Sequence, residues 1–214
     1  MDRKQLIDTF HIEYEEQRLF EKITWLGTPM YKLPFDAIVM QELILKIRPD
    51  LIIETGTAQG GSSLFFATIM ELVGHGEVVT VDIEDKVQIQ KAIAKEISDR
   101  RVYRVIGSSI STKVFDYISY IANGHEKILV TLDSWHTKEH VLKELQLYSP
   151  CVSQGSYLSV EDTHVNGNPV PWKWGEGPME AVEEFLQSNS DFEIDKGCEK
   201  FYLTFSPNGY LRRK

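Results

Sequence analysis

From residue 51 onward, short apolar runs alternate with amphipathic stretches at a spacing that leaves few folds open. Residues 51–54, 77–81, 102–106, 128–132 and 156–160 read as strands, rich in β-branched and aliphatic side chains. Between them, residues 62–73, 87–97, 112–121 and 138–148 read as helices; in the last of these Val141, Leu145 and Tyr148 share one face. A strand–helix–strand crossover of this length makes the strands parallel, and parallel strands are buried on both faces. The pattern predicts an α/β fold, doubly wound, with helices on both faces of the sheet. Residues 192–195 and 200–205, separated only by 196–199, read as a closing antiparallel hairpin.

The first strand runs into a glycine-rich turn, Glu54-Thr55-Gly56-Thr57-Ala58-Gln59-Gly60-Gly61-Ser62. Glycines let a ligand approach the backbone there, and the following helix N-terminus offers unpaired N–H groups to an anion. Asp82 closes the second strand, where a carboxylate can accept from both hydroxyls of a ribose. This much suits NAD as well as S-adenosylmethionine, since Gly56-x-Ala58-x-x-Gly61 approximates the dinucleotide fingerprint. Two residues favour S-adenosylmethionine. Glu54 can accept from the methionine ammonium but would repel a pyrophosphate, and Ser62 can hold the methionine carboxylate. Gly56, Thr57, Gly60, Ser108 and Asp133 complete the candidate donor contacts.

The stretch Thr131-Leu132-Asp133-Ser134-Trp135-His136-Thr137-Lys138 leaves the fourth strand, and Glu161-Asp162 leaves the fifth. Three carboxylates at one sheet edge repel one another and raise each other's pKa. A divalent, oxygen-seeking cation removes that conflict, so Asp133, Glu161 and Asp162 are expected to hold Mg²⁺. His136, three residues after Asp133, is placed to accept a proton from a hydroxyl beside such an ion; His164 is a second candidate base. His136-Thr137-Lys138-Glu139-His140 also matches the H-x-x-E-H pattern of inverted zinc peptidases, which would bind zinc through His136 and His140.

Other features bound the class. The 214 residues carry a net charge of −9, which argues against nucleic acid as a partner. No run is long and apolar enough to span a membrane. The opening MDRKQLIDTFHIEYEEQ lacks the apolar core of a secretory signal, and only Cys151 and Cys198 are present, in no CxxC arrangement; a cytoplasmic location is expected. Residues 1–48 are expected to form a helical segment that covers substrate or contacts another subunit, ahead of a catalytic domain over 49–214. In residues 2–22 the apolar side is formed by Leu6, Phe10 and Tyr14, continuing to Ile23; a second helix is expected over 34–46. Residues 163–177 form a long irregular segment beside the proposed site, in which Trp172 and Trp174 would offer stacking surface. A helix over 179–187 follows, with Pro178 at its start.

In WLGTP, IIETGTAQGGS, VTVDIE, LDSWHTKEHVLKELQLYSPCVSQGSYLSVEDTHVNG, GPMEAVEEFL and FYLTFSPNGYLRR, the chain resembles class I S-adenosylmethionine-dependent methyltransferases, specifically the cephalosporin hydroxylase and rhamnosyl O-methyltransferase family. The resemblance covers most of the chain from Trp25. It implies a Rossmann-like, mostly parallel seven-stranded sheet with an antiparallel last strand, a metal at Asp133, Glu161 and Asp162, and donor contacts from Glu54, Gly56, Ser62 and Asp82. It also implies self-association. The Asp133-Ser134-Trp135-His136 loop is similar to that of catechol O-methyltransferase, where the fourth position is a lysine base; here it is His136, and Glu161-Asp162 replaces an Asp-Asn pair. These features imply Mg²⁺-dependent O-methylation of a small-molecule hydroxyl on a sugar or natural-product intermediate. The alternatives are a tailoring protein that supports hydroxylation and a non-catalytic nucleotide-binding module.

Overall fold

The computed structural model describes residues 2–171 and 175–214. Helix α1 (Arg3–Glu16) precedes a small hairpin of β1 (Thr24–Trp25) and β2 (Thr28–Pro29), then α2 (Pro34–Ile47). The alternating part follows as β3 (Leu51–Thr55), α3 (Gly61–Val73), β4 (Glu77–Asp82), α4 (Ala92–Arg101), β5 (Val102–Ile106), α5 (Thr112–Ala122), β6 (Ile128–Leu132), α6 (Lys138–Tyr148) and β7 (Tyr157–Val160). Helix α7 (Pro178–Ser188), β8 (Phe192–Ile194) and β9 (Tyr210–Arg213) complete the chain. The main sheet has seven strands in the order β5-β4-β3-β6-β7-β9-β8. β3 through β7 pair in parallel, and β9 runs antiparallel between β7 and β8.

One core packs α5, α6 and α7 on one face through Ile118, Leu145, Tyr148 and Phe185. The other packs α2, α3 and α4 through Met40, Ile44, Phe66 and Ile97. Each fully buried aliphatic side chain contributes about 1.5–3 kcal/mol, so these faces dominate the stability of the sheet. Strand order reverses between β3 and β6, which is where open α/β sheets bind ligands, beyond the carboxyl ends of the strands.

Four expectations needed revision. The helix expected over 87–97 starts only at Ala92, because Gln88 N–H donates to Gln59 O (3.1 Å) and Val87 packs on Gly60, tying that stretch to the glycine turn. The strand expected over 200–205 does not form; β8 pairs instead with Tyr210–Arg213. Residues 204 and 205 spend their polar groups on Asp36, whose carboxylate accepts from the Thr204 hydroxyl and from Phe205 N–H (2.8 Å). Leu203 and Phe205 pack with Leu33 rather than on the sheet. The segment 2–22 is not one helix, since Arg18 adopts a left-handed conformation (φ 48°) and a 3₁₀ turn, Leu19–Lys22, follows. Its apolar side holds only in part, since Tyr14 packs against Phe205. Leu6 and Phe10 are exposed, while His11 and Glu15, one helical turn apart, face inward. Among the described residues, no helix is long and apolar enough to cross a membrane.

Candidate active site

Two cavities open at the switch point. The larger, about 460 Å³, is lined by Gly56, Thr57, Ser62, Asp133, His136, Asp162 and His164 among others. The smaller, about 110 Å³, is lined by Asp82, Ser108 and Trp135, and shares Gly56 and Ser134 with the first. The shared residues make them two ends of one cleft. Of the residues singled out from sequence, Glu54, Gly60 and Glu161 line neither cavity. Trp172 and Trp174 lie outside the described residues.

Local backbone geometry explains the glycines. Gly56 has φ 89°, and a Cβ there would fall 1.7 Å from the carbonyl oxygen of Asp133, so the loops after β3 and β6 touch through this residue. A Cβ on Gly61 would meet Pro29 O at 2.0 Å, which seats the β1–β2 hairpin against the start of α3. Asp82 accepts from Ala58 N–H (2.9 Å) and Glu84 N–H (3.2 Å), fixing the carboxylate at the mouth of the smaller cavity.

Glu54 sits one layer below the cleft and is fully buried. Its two oxygens accept from the Ser62 and Thr80 hydroxyls, the latter at 2.6 Å. Burial raises its pKa to about 7, opposed by the charge of Lys32. Ser62, which bonds it, does line the cleft.

At the end of β6 and β7, Asp133, His136 and Asp162 each offer one ligand atom, all within 4.8 Å of one another. His136 Nε2 lies 3.3 Å from Asp162 Oδ2. Asp133 and Asp162 thus bring two carboxylate oxygens close enough to share a divalent cation, with the His136 imidazole beside them. Glu161 turns away from this group. Its carboxylate pairs with Lys32 Nζ at 2.8 Å, and the same ammonium reaches Asp133 Oδ2 at 3.2 Å. Lys32 is buried, and its three acidic neighbours Glu161, Asp133 and Glu54 hold its pKa above the usual value against the opposing effect of burial. Burial raises the Asp133 carboxyl, with Lys32 pulling it down and Asp162 pushing it up. The protein thus carries its own cation among the carboxylates. Sequence reasoning missed Lys32; the available signal was a lone charge in the apolar run Met30-Tyr31-Lys32-Leu33.

The zinc-peptidase pattern does not assemble. His136 faces Asp162, while His140 Nε2 faces Ser109 Oγ (3.2 Å) and Ser134 Oγ (3.0 Å), with Glu144 behind. The two histidines therefore serve different networks.

The opposite wall is a stack of rings. His164 lies 4.3 Å from the Phe205 ring and 4.8 Å from His11, all nearly parallel. Its Nδ1 donates to Phe205 O at 3.0 Å, and its Nε2 stands 3.6 Å from Glu15 Oε2. Burial lowers the His164 pKa, but Glu15 and Asp162 outweigh it and the net shift is upward. Burial, and then the charge of His164, lower His11 to about 3. Neither His11 nor Glu15 was a sequence candidate, because both sit in a helix whose pattern suggested the other face.

The sequence model of the family described as "Rhamnosyl O-methyltransferase/CmcI" matches residues 17–214. Rhamnosyl O-methyltransferase of Mycobacterium tuberculosis (strain ATCC 25618 / H37Rv) is 36% identical over 210 residues, covering 96% of this chain and 84% of that protein. The Mycobacterium leprae protein of the same name is 34% identical over 213 residues, covering 98% and 91%. Among solved structures, that of "cmcI-D160 Mg-SAM" superposes with a TM-score of 0.68 at 19% identity, covering 91% of this chain and 77% of that one, a likeness of fold.

Proposed function

Because the chain belongs to the Rhamnosyl O-methyltransferase/CmcI family, we propose that it is a Mg²⁺-dependent, S-adenosylmethionine-dependent O-methyltransferase acting on a hydroxyl of a small molecule, a glycosyl hydroxyl foremost. The observation that carries this reading is the juxtaposition of Asp133, His136 and Asp162 above the glycine turn, within one cleft. A related fold bearing magnesium and the methyl donor supports it.

The residues divide the work along the cleft. Asp82, Ser108 and Trp135 border the end suited to the adenosine, and Gly56, Thr57 and Ser62 border the stretch suited to the methionine part. Gly60, behind them, holds the turn in its left-handed conformation (φ 87°). Asp133 and Asp162 would hold the cation, with Glu161 as a third carboxylate whose charge Lys32 now balances. Held there, a divalent cation would lower the pKa of an adjacent hydroxyl and orient it. His136 takes the proton that the hydroxyl loses as its oxygen bonds to the donor's methyl carbon and the carbon–sulfur bond breaks. Asp162 stabilises the imidazolium that results. Much of the acceleration is positional, since two bound reactants meet in one geometry.

Calorimetric titration of chelator-stripped protein with S-adenosylmethionine, with and without Mg²⁺, tests the class, NAD⁺ being the control. Saturable donor binding and label transfer from methyl-labelled donor to methyl α-L-rhamnopyranoside, dependent on Mg²⁺, is the expected result. Binding of NAD⁺ in preference to the donor would sink the reading.

A further inference from the structure

Helix α1 turns two faces to different surroundings. His11 and Glu15 are buried against the cleft wall, while Leu6 and Phe10, one turn apart on another side, are 60% and 56% exposed. Beside them opens an apolar groove of about 390 Å³, lined by Leu6, Ile7, Phe10, Phe35, Phe201 and Tyr202, with Leu203 at its base. None of these side chains is charged. Phe35 and Phe201 stack 5.4 Å apart on its rim, and Arg3 lies over the Tyr202 ring at 5.6 Å. Single apolar side chains on a surface need no explanation, but a contiguous groove of them marks a surface that a partner covers.

The outer face of α1 is complementary to itself. Arg3, Leu6, Phe10 and Glu13 follow at steps of three, four and three residues, the spacing of a helix-pairing seam, and all four are exposed. Leu6 and Phe10 are equidistant from Asp8, and so are Arg3 and Glu13. With a second copy laid antiparallel and the two Asp8 positions level, Leu6 of one copy meets Phe10 of the other, and Arg3 meets Glu13. A two-fold axis repeats both contacts, as an isologous interface requires. A parallel pairing would instead set Arg3 against Arg3 and Glu13 against Glu13, which repel. The charge order of the helix points the same way. Beyond the Asp2 cap, the first turn holds Arg3 and Lys4 and no acid, and the chain leaves the helix through Glu13, Glu15 and Glu16 with no base. That order opposes the dipole of the helix itself. An antiparallel neighbour reverses the effect, because each basic, dipole-positive end then lies beside an acidic, dipole-negative one.

We infer that the outer face of α1 is the contact of a two-fold dimer, in which α1 packs antiparallel on α1 of a second copy and the rim of Phe35, Phe201 and Tyr202 completes the interface. The 14 residues of α1 span only about 21 Å, too little alone for the roughly 800 Å² per partner of a stable interface, so the groove rim is part of it. The inference does not depend on which reaction the cleft performs. It does tie assembly to the cleft, since the inner face of the same helix carries His11 and Glu15, and a second copy would hold that wall from outside.

The test weighs the full chain by analytical ultracentrifugation from about 1 to 100 µM, since association follows protein concentration. The wild type should reach twice the mass of one chain within that range. Phe10→Asp should raise the dimer dissociation constant at least ~100-fold, as loss of an interface aromatic and burial of a charge do. Phe10 is exposed in the single chain, so the circular dichroism of this variant should match the wild type. Arg3→Glu and Glu13→Arg should each weaken the dimer about 10-fold, because each sets like charges together at two symmetric places. The double variant exchanges the two charges and should return to within about threefold of wild type, a rescue that neither a local folding defect nor another contact face would give. A chain that stays monomeric throughout the range overturns the inference, and co-sedimentation of that monomer with phosphatidylcholine vesicles would give the groove to lipid instead. A dimer that Phe10→Asp leaves intact lies on another face and overturns it as well. Loss of the dimer in both single swaps without recovery in the double overturns the antiparallel register.

Discussion

On the donor side of the cleft, Glu54, Ser62, Thr80 and Asp82 all hydrogen-bond to groups the fold itself provides. On the acceptor side, His11, Glu15 and His164 keep buried polar atoms with no partner among the described residues. An unpaired buried polar atom costs about 1–3 kcal/mol, so three together concentrate that cost in one wall. The contrast has a chemical logic. The turn after β3 is complete in itself, whereas the ring wall across the cleft leaves polar groups unpaired. Lys32 stands between the two halves as an internal cation, bridging Asp133 and Glu161.

Substitutions can break this contrast, and the largest effect belongs to the residue both halves share. Asp133→Ala removes a candidate cation ligand while leaving the glycine turn, and methyl transfer should fall at least ~10³-fold, the equivalent of several kcal/mol of lost charge stabilisation. Donor binding measured by calorimetry should persist; a variant with full turnover would falsify the site. His136→Gln should cost roughly 10²- to 10⁴-fold in kcat with donor affinity kept, as removal of a general base does. An unchanged kcat assigns the proton to another group, His164 being the other base in the cavity.

The bridge itself is tested on stability. Lys32→Met leaves Glu161 and Asp133 without their buried counter-charge, and thermal unfolding should show a loss of about 3–5 kcal/mol. Added Mg²⁺ should restore more of the melting temperature in this variant than in the wild type, because the ion replaces the ammonium. Equal Mg²⁺ responses in the two proteins would separate Lys32 from the cation site.

The smallest effect sharpens the acceptor side. His11 titrates near 6.5 when unfolded and is lowered to about 3 by burial in the fold. Its neutral form stabilises the native state above pH 6.5, and that contribution is lost as pH falls from 6.5 toward 3. The loss at pH 4 is about 3 kcal/mol at most. His11→Asn should flatten this part of the stability curve, measured by urea unfolding across pH 4–7. A variant as acid-sensitive as the wild type would place the titration elsewhere.

How much was legible follows from how local each feature is. The strands from β3 to β7 and the helices between them announced themselves through periodicity, because burial on both faces of a parallel sheet demands continuous apolar runs. Gly56, Asp82 and Asp133 were readable as candidates because strand ends feeding a crevice recur at fixed places in such chains. Residues 200–205 were not, since their apolar content looks like a strand until Asp36 claims the Thr204 and Phe205 donors. The start of α4 was missed for the same kind of reason, a bond from Gln88 to Gln59 that only the folded turn supplies.

Sequence alone determined the alternating architecture, the glycine turn, and that Asp133, His136 and Asp162 leave the sheet at one edge, because each depends on hydrophobic period or on position along one crossover; it also put Glu161 in that group, which the structure pairs with Lys32 instead. Only the tertiary structure decided that Lys32 neutralises Glu161, that Glu54 is buried behind Ser62, and that α1 turns Glu15 rather than Leu6 toward the cleft. Those outcomes rest on charges and dipoles brought together from segments far apart in the chain. Their energies depend on distance and burial, which no local pattern records.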